Sequence, residues 1–192
     1  MTDRVLALAN LAAPLPAEDA GAMLAELRPA AIAQVTAWPD TDKGVAEAIG
    51  ELCGTAPGPV SSVVKHGPMT VITAAPGRYI VVCEDGDIAG ALSTALPAGE
   101  AAVTDLSHAR TVLRLSGEAA ADILGKGLAI DLHPSVFPAG RAAQTVLHHI
   151  DVLVIRRGDN VFDLLAFRGF GLSLAEWLLD AGLEFEIGLE PI

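Results

Sequence analysis

The sequence predicts an α+β protein, a two-layer α/β sandwich of two tandem ferredoxin-like (βαββαβ) halves with antiparallel-rich sheets. Three observations carry this reading. Strand-like and helical periodicities alternate in the same order in both halves of the chain. Each half contains a compact hairpin signal, Ala75-Pro76-Gly77 in the first and Gly158-Asp159-Asn160 in the second. An amphipathic helical pattern follows each hairpin, as the split βαβ order requires.

In chain order, residues 17–27 place Ala20, Met23, Leu24 and Leu27 on one helical face and Pro29 closes it, so residues 1–29 read as an N-terminal helical segment. The first ferredoxin-like half, residues 30–105, opens with a strand-like run over 30–38. Asp40 or Thr41 can cap a helix whose Val45, Ile49 and Leu52 line one side before Gly54 ends it. Gly44 and Gly50 weaken that helix by about 1 kcal/mol each relative to Ala. After a loop over 55–59, residues 69–74 and 78–83 pair as a hairpin, because Pro76 presets φ and Gly77 supplies the positive φ of a tight turn. Asp87 caps a helix bearing Ile88, Ala91, Leu92 and Ala95 on one face, Pro97 stops it, and residues 101–104 return as a strand.

The second half, residues 106–192, repeats the order. Residues 111–115 alternate as a strand, Gly117 turns, and Glu118 favours the start of a helix with Ala120, Ile123 and Leu124 on one face, ending at Gly127. After a loop over 131–140 come an added strand at 144–148 and the hairpin strands 152–156 and 161–167. Ser173 and Glu176 form a capping box for a helix striped by Leu174, Trp177, Leu178 and Ala181, and residues 185–189 close the sheet.

Composition narrows the function. A formal net charge of −12 repels phosphate backbones and anionic lipid surfaces, which argues against nucleic acid and membrane partners. Hydrophobic residues make up 52% of the chain and charged ones 19%, an oily balance that points to surface hidden against another protein. No apolar run reaches about 18 residues, and the N-terminal stretch lacks a basic cluster followed by a long apolar core, so neither a membrane span nor export is expected. Cys53 and Cys83 sit in apolar patterns and read as reduced, buried thiols.

No catalytic constellation emerges. His148 and His149 are adjacent, and on a strand they point to opposite faces; His66, His108 and His133 have no ligand spacing, so no metal site is expected. Gly125-Lys126-Gly127 sits at a helix end and reads as a C-cap with an exposed lysine. Arg168-Gly169-Phe170-Gly171 precedes a helix and is better placed for an anion, but lacks the Lys-Ser/Thr of a phosphate loop. Ser107 beside His108 has no third orienting group, so Asp105 and Ser107 are expected to fix a turn while His108 and Arg110 lie at a surface or interface. Asp131-Leu132-His133-Pro134 reads as a structured loop, stiffened by Pro134 and Pro138. Catalytic, cofactor and metal residues are all expected to be absent.

One resemblance covers residues 105–181. Asp105-Leu106-Ser107-His108, Arg110-Thr111, Ser116-Gly117, Lys126-Gly127, Asp131-Leu132-His133-Pro134, Phe137-Pro138-Ala139-Gly140, Gln144-Thr145, Phe162-Asp163-Leu164 and Trp177-Leu178 together resemble the gamma subunit family of the heterotetrameric sarcosine oxidases. Leu128 and Gly169 depart from the pattern, standing where a cysteine and a serine are expected. The resemblance implies a fold related to the folate-binding domain of aminomethyltransferases. It further implies a cytoplasmic complex that converts sarcosine to glycine with hydrogen peroxide and formaldehyde or methylene-tetrahydrofolate. In that picture FAD, FMN, NAD and tetrahydrofolate belong to the larger alpha and beta subunits, zinc to the delta subunit, and none to gamma. The aminomethyltransferase Asn-Gly-Gly turn and paired carboxylates are replaced here by His148-His149-Ile150-Asp151, leaving one carboxylate. The expectation is a non-catalytic gamma subunit docked mainly on a large flavoprotein subunit. The alternatives are a folate-binding one-carbon transferase or stand-alone folate module, and a subunit of an N-methylglutamate dehydrogenase.

Overall fold

The computed structural model describes residues 6–9, 11 and 20–190. Its strands are β1 (Met23–Leu27), β2 (Ala31–Ala37), β3 (Ser62–His66), β4 (Met69–Ala75), β5 (Arg78–Cys83), β6 (Ala101–Asp105), β7 (Arg110–Ser116), β8 (Ala142–Leu147), β9 (Ile150–Gly158), β10 (Val161–Phe167) and β11 (Gly188–Leu189). The helices are α1 (Asp42–Cys53), α2 (Ile88–Ala95), α3 (Ala120–Gly125) and α4 (Gly171–Ala181). The chain divides into two compact units, Pro29–Ser107 and a second built from residues up to Arg28 and from His108 onward.

The unit Pro29–Ser107 holds a five-stranded antiparallel sheet in the order β3-β4-β5-β2-β6. Leaving out β3, this is the spatial order of the ferredoxin-like unit, with α1 and α2 as its two crossovers. Val35, Val71, Tyr79 and Val81 from the sheet bury against Val45, Ile49 and Cys53 of α1 and Ile88 and Leu92 of α2. Asp87 caps α2 as its chemistry predicts, its carboxylate accepting from the Gly90 amide at 3.1 Å. Thr41 stands at the start of α1 without capping it; its hydroxyl donates instead to the carbonyls of Glu100, at 2.7 Å, and Trp38. An added edge strand, β3, lies just past the expected loop over 55–59, in residues to which the sequence pattern assigns no element.

The other unit repeats the order strand, helix, three strands, helix, strand, with the sheet β11-β1-β7-β10-β9-β8. One element breaks the parallel between the units. β1 inserts between β7, antiparallel over five residues, and β11, parallel over two. The expected N-terminal helix is therefore corrected: Met23–Leu27 is a strand, and residues 17–19 lie outside the described residues. Two flanking strands supply hydrogen bonds to both edges of this segment, which outweighs a local periodicity that also fits a helix. The capping box is corrected as well. A 3-10 turn at Arg168–Phe170 runs straight into α4, which starts at Gly171 without a side-chain cap. Residues 185–189 shrink to the two-residue β11 after a 3-10 turn at Leu183–Phe185.

Candidate functional site

The first motif is a turn held by its own side chains. Asp105 Oδ1 accepts from the Ser107 amide at 2.8 Å and from its hydroxyl at 2.6 Å, while Ser107 Oγ accepts from the Ile32 amide at 3.0 Å. That buries the serine and orients its lone pairs toward backbone, not toward a substrate. His108 is exposed, while the Ser107 hydroxyl is given to Asp105 on its own turn.

Arg110 lies across the sheet end. Its guanidinium stacks on the Phe167 ring, 3.8 Å from the centroid, and burial lowers its pKa while nearby Asp151 acts in the opposite direction. The Arg168 amide donates to the Ala109 carbonyl at 2.8 Å, closing this end of β7 against the 3-10 turn. Between them opens a shallow cleft of about 590 Å³, lined by Leu6, Ala7, His108, Ala109, Phe167, Arg168, Gly169 and Leu172. Gly171 serves packing here. A Cβ on it would come 2.8 Å from the Ala7 Cβ and 2.9 Å from Thr111 Cγ2, so the glycine lets α4 approach β7. A side chain at Gly169 would meet nothing within 4 Å, so the departure at this position costs the fold nothing.

The loop over 131–140 is pinned from beneath by Arg156, a residue the sequence reading assigned no role. Arg156 is 3% exposed. Its Nη1 donates to the carbonyls of Leu132 (2.8 Å) and Phe137 (3.0 Å), Nε to Gly158 (3.1 Å) and Nη2 to Asp159 (2.5 Å). Among the described residues no carboxylate pairs with it. Asp131 and His133 are exposed and bond within their own loop: Asp131 accepts from the His133 amide at 2.8 Å, and the His133 ring meets the Ser135 hydroxyl at 2.7 Å.

Two further motifs are structural in the same sense. Asp163, fully buried on β10, receives Nε and Nη2 of Arg114 at 2.7 and 3.0 Å and Nε of Arg157 at 2.6 Å. Lys126 follows α3, pairs with Glu184 and donates to the Ala181 carbonyl at 2.5 Å, tying two helix ends together. Next to it, a Cβ on Gly127 would stand 2.6 Å from the Trp177 ring. His148 stacks on that same ring with centroids 5.8 Å apart.

His148 and His149 are placed differently from expectation. They form the tip of the β8–β9 hairpin, where His148 adopts φ +58°, so their ring centroids lie 4.1 Å apart and not on opposite strand faces. Among the described residues no group of three metal-ligating side chains gathers, there or elsewhere. Cys53 and Cys83 are buried and unbridged, and burial pushes the Cys53 thiol up to about 11. No helix among the described residues is long and apolar enough to cross a membrane.

The geometry describes a duplicated ferredoxin-like scaffold of the aminomethyltransferase type, whose motif residues spend their polar atoms on its own loops and strands. Aminomethyltransferase T of the glycine cleavage system from Bartonella henselae shares this fold, with a TM-score of 0.62 and 16% identity, over 92% of this chain and 52% of that one. Residues 40–184 match the sarcosine oxidase gamma subunit family, and the chain belongs to that family. The sarcosine oxidase subunit gamma of an Arthrobacter species is 37% identical over 142 residues, which is 74% of this chain and 66% of the relative. The aligned stretch thus spans just under two thirds of that relative's length. A chain of the heterotetrameric sarcosine oxidase from Corynebacterium sp. U-96, solved with pyrrole 2-carboxylate, superposes with a TM-score of 0.85 at 30% identity, covering 95% of this chain and 96% of that one.

Proposed function

We propose that this chain is the non-catalytic gamma subunit of a heterotetrameric sarcosine oxidase, working in the cytoplasm. In this reading it docks mainly on a large flavoprotein subunit, alongside alpha, beta and delta partners. Oxidative demethylation of sarcosine to glycine, with hydrogen peroxide and formaldehyde or methylene-tetrahydrofolate as the other products, then belongs to FAD, FMN, NAD and tetrahydrofolate held by those partners. The observation that carries the proposal is the fate of the motif residues: Ser107, Asp163 and Lys126 are all engaged within the scaffold, and the Asp131–His133 loop is held by a buried arginine. Free buried thiols fit a reducing compartment.

The test is co-expression with alpha, beta and delta subunits from the same source. The chain should co-purify with the large subunits, and the purified chain alone should leave sarcosine unoxidised. Oxidation of sarcosine by the isolated chain would refute the proposal.

A second reading, a folate-binding one-carbon module, rests on Asp151, an exposed carboxylate on β9 within electrostatic reach of Arg110. Calorimetric titration with a reduced folate separates the two. Stoichiometric binding abolished by Asp151→Asn would favour the module over the scaffold.

A further inference from the structure

We infer that the cleft between the start of β7 and the start of α4 is the docking surface for a carboxylate-bearing apolar segment of the large flavoprotein subunit. The inference rests on the gamma-subunit reading and adds to it the surface and the chemistry of the partner.

Apolar exposure is concentrated here. Among the described residues eight large hydrophobics are exposed, and three of them, Phe167 (45%), Phe170 (53%) and Leu172 (42%), fall within six consecutive positions. Isolated exposed hydrophobics are ordinary on a protein surface, but a cluster beside a cleft marks an interaction site. Two arginines gather at the same place. In a chain of net charge −12, His108 and Arg168 line the cleft and Arg110 caps its aromatic wall, with Asp151 the carboxylate acting on Arg110.

The chemistry fits a protein partner with carboxylates. An arginine already stacked on phenylalanine has given up part of its water, so a carboxylate arriving over it meets a partly desolvated and pre-oriented cation. Arginine and aromatic anchors of this kind dominate the energetics of protein interfaces. The shallow, open cleft suits side chains from another surface better than an enclosed small molecule.

The experiment measures binding of the chain to the tagged large subunit, with the other subunits co-expressed. Phe170→Asp and Leu172→Asp place charges at exposed positions, and an acid in the first turn of α4 complements its dipole, so both variants should fold. Each should weaken binding by about tenfold or more. Leu183→Asp and Trp38→Asp, at equally exposed hydrophobics elsewhere, should bind as the parent does. Binding of the parent should weaken with added salt, and Arg110→Gln should flatten that dependence. Unchanged circular dichroism and urea midpoints show that the variants are folded, with Phe170→Ser as the milder substitution.

If the parent assembles and the cleft variants assemble equally well, the docking surface is wrong and the subunit reading stands. If the parent itself fails to bind, both fall. If light scattering shows a dimer of the isolated chain that Phe170→Asp splits, a second copy is the occupant and the inference is overturned. Salt-independent binding would overturn the carboxylate partner.

Discussion

Arg156→Met tests whether the Asp131–Pro134 motif is a loop held by a pin. The methionine keeps the stem and removes every donor, leaving four carbonyls that the guanidinium satisfied. The bonds to Leu132 and Phe137 are buried, and an orphaned buried acceptor costs about 1 to 3 kcal/mol. The acceptors at Gly158 and Asp159 lie nearer water and recover most of their loss by hydration. A net loss of about 3 to 4 kcal/mol follows, or roughly 10 °C in melting temperature for a chain of this size. Arg156→Lys should fall between, since one ammonium cannot span a fork of four acceptors. Urea unfolding followed by circular dichroism gives the energy, and hydrogen exchange on residues 131–140 gives the location. A loss below about 1 kcal/mol with unchanged exchange in that loop would show that Arg156 does not hold it.

Other positions extend the same logic. Asp163→Ala leaves Arg114 and Arg157 without their shared buried carboxylate and should cost about 2 to 4 kcal/mol in urea unfolding, the partial exposure of both arginines keeping the loss below that of a fully buried pair. Gly127→Ala forces a Cβ onto the Trp177 ring and should cost about 1 to 3 kcal/mol, read together with a shift in tryptophan emission. Because the Cys53 thiol is raised to about 11, the folded state favours its protonated form. The unfolded chain loses that proton first as pH rises, so stability is full below about 8.5 and falls by about 2 to 3 kcal/mol as pH climbs toward 11. Denaturation midpoints measured across that range check the sign, and a thiol reagent at neutral pH should label Cys53 only in denaturant.

Hairpins and helices were legible because their signals are local. β10 occupies the expected 161–167, and Asp87 caps α2 through the chemistry that suggested it. β1 was not legible, since the strands that flank it lie some 90 and 165 residues further along the chain and leave no mark on residues 23–27. β3 escaped because Ser62-Val63-Val64-Lys65-His66 is a half-exposed edge with two apolar residues, too few to show alternation. The turn made by Asp105 and Ser107 was readable from side chains that bond their own backbone. The pin beneath the 131–140 loop was not, because the partners of Arg156 are carbonyls, and every residue type carries one.

An asymmetry between the two units shapes the cleft. In the unit Pro29–Ser107 the last strand, β6, pairs directly with β2. In the other, β1 occupies the equivalent place and displaces β11 to the edge. That insertion brings Glu26 beside the start of β7, where its carboxylate accepts from the amides of Ala7 (2.9 Å) and Leu8 (2.8 Å) and from the Thr111 hydroxyl (2.6 Å). Leu6 and Ala7 line the cleft because Glu26 holds this turn. Glu26→Ala removes three bonds to a half-buried carboxylate and should cost about 2 kcal/mol after solvent compensation. Its sharper signature is local: hydrogen exchange at Ala7 and Leu8 should accelerate, and affinity for the large subunit should drop more than the stability change alone accounts for. If those two amides keep their protection in Glu26→Ala, the inserted strand does not build the cleft through this residue.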